Sequence, residues 1–152
     1  MKYRRLTKEE LEGLSDEFIS FLIINGIDAT LWQNIKKADE ARFLKLIDLF
    51  SDFIFDGIIR KVRFVEYQDA FGVKLFKCDE DIIHLISLDS DKPLESDNNI
   101  TQVVEQSPEH FSVSRVSKNY FPDRETEIFR MISSGGLVSE GKMYQFFEND
   151  KD

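Results

Sequence analysis

Gly136-Leu137-Val138-Ser139-Glu140-Gly141-Lys142 has the spacing of a phosphate-binding loop through its first seven positions. In such a loop the glycines let backbone amides surround the phosphates, and the lysine reaches the terminal ones. The eighth position should be Ser or Thr, to hold magnesium, and it is Met143. The segment should also follow a strand, whereas the pattern before it is helical. Ten residues remain after Lys142, too few to supply a strand bearing a magnesium-binding Asp. A helix cap followed by a short helix accounts for both glycines.

Cys78 and His84 are the candidate catalytic pair. A thiol becomes a nucleophile when a base lies within hydrogen-bond reach. Their meeting depends on strand register. A two-residue turn at 80 and 81 pairs Cys78 with Ile83 and sends His84 to the opposite face, beside Lys77. A three-residue loop puts Cys78 and His84 diagonally on one face. The two-residue register groups Phe76, Cys78, Ile83 and Leu85 into the better apolar face, which makes Cys78 a small core residue. His110 falls in a loop and nothing marks it as a base.

Two acidic groups have the look of cation sites. Asp48, Asp52 and Asp56 are spaced four apart and form one helical stripe. Carboxylate-bridged metal bundles add a Glu-x-x-His pair on neighbouring helices, and none is present. Asp89-Ser90-Asp91 begins like a calcium loop, but Pro93 takes the third ligand position. The expectation is a solvated helix face, with no metal site and no cofactor.

Arg60, Lys61 and Arg63 precede Phe64-Val65-Glu66-Tyr67, a run that ends like an RNA-recognition strand. Bases would have to stack on exposed Phe64 and Tyr67. The Gly-aromatic-Gly part of that motif is missing. The plainer account is that the cations answer the acidic stripe or the C-terminal end of the helix before them.

The elements that would carry these residues follow from periodicity. Thr7-Lys8-Glu9-Glu10 matches a capping box and opens a helix that runs to Asn25-Gly26, weakened at Gly13. Asp28 or Thr30 caps a second helix through Lys37, and Asp39 caps a third. Residues 39 to 67 hold the densest apolar run. Phe43, Leu46, Ile47, Phe50, Phe53 and Ile54 recur at helical spacing. Beyond Gly57, which marks the change, alternation puts Val62, Phe64 and Glu66 on one side and Lys61, Arg63, Val65 and Tyr67 on the other. Strands are expected over 61–68, 73–79 and 82–88, joined by short turns into an antiparallel meander. Residues 89–99 read as a loop and 100–106 as a turn or two of helix. A fourth strand is expected over 111–117, with Phe111 and Val113 facing inward. Pro122-Asp123 opens a helix to Ser134, stopped by Gly135-Gly136, and a short amphipathic segment from Leu137 closes the chain.

The opening MKYRRLTKEELE, the segment LIDLFSDFIFDGIIRKVRF, the FKCDED strand and turn, and the closing GKMYQFF together resemble a family of small uncharacterised bacterial proteins from the Bacteroidetes. The resemblance covers nearly the whole chain. It carries no activity, cofactor or site, and it implies a bacterial, cytoplasmic, single-domain protein.

The chain of 152 residues suits one domain, with a helical part over 7–56, a sheet over 61–117 and C-terminal helices over 123–148. The expected fold is α+β: a three-helix N-terminal subdomain packed on a three- or four-stranded antiparallel sheet, with one or two C-terminal helices. A formal charge of −9 disfavours nucleic acid and anionic membranes as partners. One cysteine excludes an internal disulfide. No apolar run reaches the length of a membrane span or a signal peptide, which leads to the expectation of a cytoplasmic protein. Fourteen Phe residues form a core, or in part a partner-binding face. The leading functional reading is a non-enzymatic interaction or regulatory module, binding another protein or a second copy of itself. The alternatives are a small-molecule binder or enzyme with a pocket between helices and sheet, and RNA binding through Arg60 to Tyr67.

Overall fold

The computed structural model describes residues 2–94 and 100–149. The protein is α+β, with seven α-helices and a five-stranded antiparallel sheet among these residues. Its contacts group into two compact units, Met1–Ile58 and Ile59–Asp152.

The first unit is helical. Helices α1 (Lys8–Gly13), α2 (Ser15–Ile24), α3 (Ala29–Ala38) and α4 (Glu40–Arg60) follow one another, α4 running two residues into the second unit. The capping box at Thr7 forms, with Glu10 N–H donating to the Thr7 hydroxyl and Thr7 N–H to the Glu10 carboxylate. Asp28 and Asp39 accept from the amides of Leu31 and Arg42. The single helix expected from Thr7 to Asn25 is two. Leu14 leaves helical geometry (φ −117°, ψ 25°) beside Gly13, and its N–H closes a tight turn onto Leu11. Leu22, Ile27, Ile35 and Leu46 make the buried cluster, with Phe18, Phe21, Trp32 and Phe43 packed on it. Phe50 is fully buried, its ring 4.8 Å from that of Phe18 and 5.3 Å from that of Phe21. Gly57 does not end the helical pattern, because α4 continues to Arg60. One interior glycine costs about 1 kcal/mol relative to Ala, less than burial of side chains such as Phe50 and Ile59 supplies along the same helix.

The second unit is the sheet and its helices. Strands β1 (Phe64–Asp69), β2 (Gly72–Cys78), β3 (Ile82–Ser90), β4 (Phe111–Asn119) and β5 (Leu137–Ser139) lie in the order β4-β3-β2-β1-β5. Helix α5 (Ile100–Gln106) precedes β4 through a 3₁₀ turn at Pro108–His110. Helix α6 (Arg124–Ser133) and helix α7 (Lys142–Asn149) flank β5. One sheet face carries Val73, Leu75, Ile86 and Leu88, closed by Ile100 of α5 and by Tyr144 and Phe147 of α7. The other face meets α6, where the Tyr67 hydroxyl donates to the Met131 carbonyl at 2.6 Å.

Four sequence expectations need correction. The first strand starts at Phe64, not at residue 61, because Val62 N–H turns back onto the Ile59 carbonyl. The sheet has five strands, since Leu137 and Val138 pair with Glu66 and Val65 before the last helix begins. The N-terminal helices number four. Val113, expected to face inward, is 41% exposed, because β4 is an edge strand. Of the loop expected over 89–99, residues 95–99 lie outside the described residues.

Candidate functional site

The acidic stripe is occupied by the chain's own beginning. The Asp52 carboxylate accepts the backbone amides of Lys2 and Tyr3 at 2.8 and 3.1 Å. Asp56 takes the Tyr3 hydroxyl and the Lys2 ammonium. Asp48 holds the Arg5 guanidinium through two bonds of 2.6 and 3.1 Å, and this pairing keeps its carboxyl below the usual carboxylate range. One turn along α4, the buried Ser51 hydroxyl accepts from Leu6 N–H and donates to the Ile47 carbonyl. The stripe is a rail that fixes residues 2–6. The expectation of a solvated face, or of neutralisation by Arg60, Lys61 and Arg63, is corrected accordingly.

Cys78 pairs with Ile83 and His84 with Lys77, so thiol and imidazole stand on opposite faces of the sheet. Cys78 is buried, and burial pushes its thiol up to about 11 against the pull of the Arg124 guanidinium. At neutral pH it is a thiol and a poor nucleophile. His84 instead sits between Ser117 and Asp79, its Nδ1 2.6 Å from the Ser117 hydroxyl and its Nε2 3.0 Å from the Asp79 carboxylate. With Nε2–H donated to Asp79, Nδ1 accepts the Ser117 O–H. That is the order of hydroxyl, base and orienting acid used in acyl transfer. The setting differs from a catalytic one. His84 and Asp79 keep 33% and 45% of their side-chain surface in water, where fixed dipoles stabilise an oxyanion far less than in a dry site. The Arg115 guanidinium nearby is turned to the Phe147 carbonyl. The chain of three braces the turn after β2 to β3 and β4.

The basic cluster does not lie on a strand. Arg60 ends α4, and Lys61 and Arg63 lie in the connection to β1. Arg63 donates to the carbonyls of Arg60 and Val62, which caps the helix end. Arg60 and Arg63 line a shallow cleft with Asp79, Glu80, Arg124 and Glu125, a mixture of signs. Arg124 spends its guanidinium on the carbonyls of Ile59, Val62, Cys78 and Asp79, tying the end of α4 to the end of β2. Phe64 and Tyr67 are an odd number of positions apart on one strand and face opposite sides. Phe64 packs on Tyr144, with ring centroids 5.8 Å apart, and Tyr67 bonds to α6. They form no common stacking platform.

The glycines of the phosphate-loop spacing are explained by packing. A Cβ on Gly136 would lie 2.6 Å from a Val65 methyl and 2.9 Å from the Tyr67 ring. Gly141 has φ +82°, and a Cβ there would lie 2.4 Å from the Phe64 ring. The two glycines bring β5 and the start of α7 against β1.

The face of the sheet beside α6 carries a groove of about 540 Å³, within the usual range for small-molecule sites. Tyr67, Phe76, Ile83, Lys118, Glu127 and Met131 line it. Tyr67 and Phe76 meet edge to face at 5.9 Å. Glu127 is 7% exposed, and its Oε1 contacts the Lys118 ammonium. Its Oε2 is buried without a hydrogen-bond partner among the described residues.

A family of unknown function (DUF6495) matches residues 1–152. The chain belongs to that family. No curated protein matches it, and no solved structure does. Family membership therefore brings no chemistry, and this DUF6495 chain has to be read from its own geometry. No helix among the described residues is long and apolar enough to cross a membrane. Sequence reasoning picked out Tyr67 and missed Glu127, Lys118, Met131, Ser117 and Asp79. Glu127 reads in sequence as an acid suited to a helix first turn. Lys118 and Ser117 gain meaning only from the pairing of β4 with β3.

Proposed function

We propose that the protein is a non-enzymatic interaction module of a bacterial cytoplasm, and that it joins a second copy of itself along strand β4. The observation that carries the reading is the place of β4 at the edge of the sheet. Nine residues, Phe111–Asn119, pair with β3 on one side and with no described strand on the other. A strand at the edge of a sheet is a template for another strand. Val116, 58% exposed, and Val113, 41% exposed, stand along it.

The sequence of β4 suits antiparallel pairing with itself about Val116. That register sets Val116 against Val116, Arg115 against Ser117, Ser114 against Lys118 and Val113 against Asn119. No like charges are opposed. A register centred on Arg115 would oppose two guanidiniums and is disfavoured. The result is an isologous dimer whose sheets join into one of ten strands. The lone cysteine, buried and free, suits a reducing compartment.

Sedimentation equilibrium tests the reading. The wild-type chain should sediment as a dimer at micromolar concentration, and Val116→Glu, which opposes two carboxylates at the two-fold axis, as a folded monomer by circular dichroism. A monomeric wild type, or a Val116→Glu chain that still dimerises, overturns the proposal.

A further inference from the structure

The groove beside α6 has walls that are already set. Tyr67 is fixed by its bonds to the Met131 carbonyl and the Ser134 hydroxyl, and Phe76 is held edge to face against it. A flat molecule can stack on one of these near-perpendicular rings while the other meets its edge, and Ile83 and Met131 complete the apolar wall. The polar end is the pair Glu127 and Lys118. Glu127 has one carboxylate oxygen committed to Lys118 and one, buried, to which no described residue donates. A buried carboxylate oxygen without a donor is costly, so a ligand that supplies an N–H there gains what the free protein lacks. Lys118 keeps 57% of its side-chain surface in water. Its long stem can swing aside while its ammonium still donates.

A carboxylate that accepts beside an ammonium that donates is the complement of a lactam edge, where a ring N–H adjoins a carbonyl. We infer that this groove is a binding site for a flat heteroaromatic lactam, the edge that a guanine-type base presents. In this arrangement the ring N–H donates to Glu127 Oε2 and the ring carbonyl accepts from Lys118, while the ring packs in the apolar angle between Tyr67 and Phe76. Asp69, Asp89 and Lys74 also line the groove.

Guanosine is the probe, followed by amide chemical-shift titration of the full chain. Guanosine should shift the resonances of Tyr67, Phe76, Ile83, Lys118, Glu127 and Met131. The analogue 1-methylguanosine, which replaces the ring N–H with a methyl group, should bind about tenfold more weakly or worse, as expected for the loss of a hydrogen bond to a charged group. Glu127→Met removes the acceptor at similar volume and should abolish the shifts. If Glu127→Met does not fold, the comparison of the two nucleosides on the wild-type chain still decides. No shift with guanosine, or equal binding of 1-methylguanosine, overturns the assignment. So does undiminished binding by a folded Glu127→Met.

Discussion

Two acidic regions of the protein contrast. Along α4, Asp48, Asp52 and Asp56 look in sequence like a site, yet each is answered by Lys2, Tyr3 or Arg5 of the same unit. On α6, Glu127 looks like an ordinary first-turn acid, yet it is buried with one oxygen unanswered. Three carboxylates at regular spacing are visible because helix periodicity makes them so. What a carboxylate can still bind depends on which donors the fold has already brought to it. A stripe already holding its own chain's donors has less capacity left for a ligand, whereas a buried oxygen with no described donor retains it.

The contrast can be broken from either unit. The largest effect is expected in the sheet unit at Gly141→Ala. The new Cβ meets the Phe64 ring, and the residue must hold φ +82°. Overpacking costs about 1–3 kcal/mol, and the left-handed conformation adds about 1–2 kcal/mol for a residue with a side chain. Gly13→Ala has nothing within 4 Å and no positive φ, so it should be neutral or mildly stabilising. Urea unfolding of both variants measures the difference. If Gly141→Ala unfolds within about 0.5 kcal/mol of wild type, the size of an ordinary surface substitution, then the glycine is not there for packing.

The helical unit should respond less. Ser51→Ala removes the acceptor of Leu6 N–H inside the protein. A buried donor left alone costs about 1–3 kcal/mol. Asp48→Asn breaks an ion pair whose Arg5 partner is 45% exposed, and exposed pairs are worth less than about 1 kcal/mol. Hydrogen exchange at residues 2–6 should therefore speed up more in Ser51→Ala than in Asp48→Asn. The reverse order would mean that charge, not the buried serine, docks the N-terminal segment.

Local signals carried well into this fold, and long-range ones did not. The capping box at Thr7, the caps at Asp28 and Asp39, and the β2–β3 register that parts Cys78 from His84 were all legible, because each is decided within a few residues. The three-residue β5 was not, since Leu137–Ser139 becomes a strand only by meeting β1 some seventy positions earlier. Asp79, His84 and Ser117 likewise lie on a turn and two strands whose juxtaposition needs the β3–β4 pairing. The candidate groove draws on β1, β2, β3, β4 and α6, so its composition depends on tertiary structure throughout. Of the lining, only Tyr67 stands out in sequence as a binding candidate, as the end of a run like an RNA-recognition strand, and Phe76 and Ile83 read as members of one apolar face.

The smallest expected effect is a test of pH. The Glu10 carboxyl, hydrogen-bonded by the Arg4 guanidinium and by Thr7 N–H, is lowered from 4.5 to about 2. A depressed acid stabilises the fold when ionised. Its contribution is complete above about pH 4.5 and is lost as pH falls through about 2, because the unfolded chain takes up the proton first. The Glu10 side chain keeps 36% of its surface in water and its Arg4 partner 49%, so screening keeps the contribution below about 1 kcal/mol. Glu10→Gln retains a side chain that can still close the capping box but no longer titrates. Thermal unfolding of the two chains from pH 5 to pH 2 should show a steeper loss for wild type, with the curves converging at the acid end. Parallel curves would mean that the Arg4–Glu10 pair is made equally in the unfolded chain. The self-pairing of the N-terminal charges would then be local chemistry, while the closure of the α4 rail, which spans more than forty positions of sequence, would remain the work of the fold.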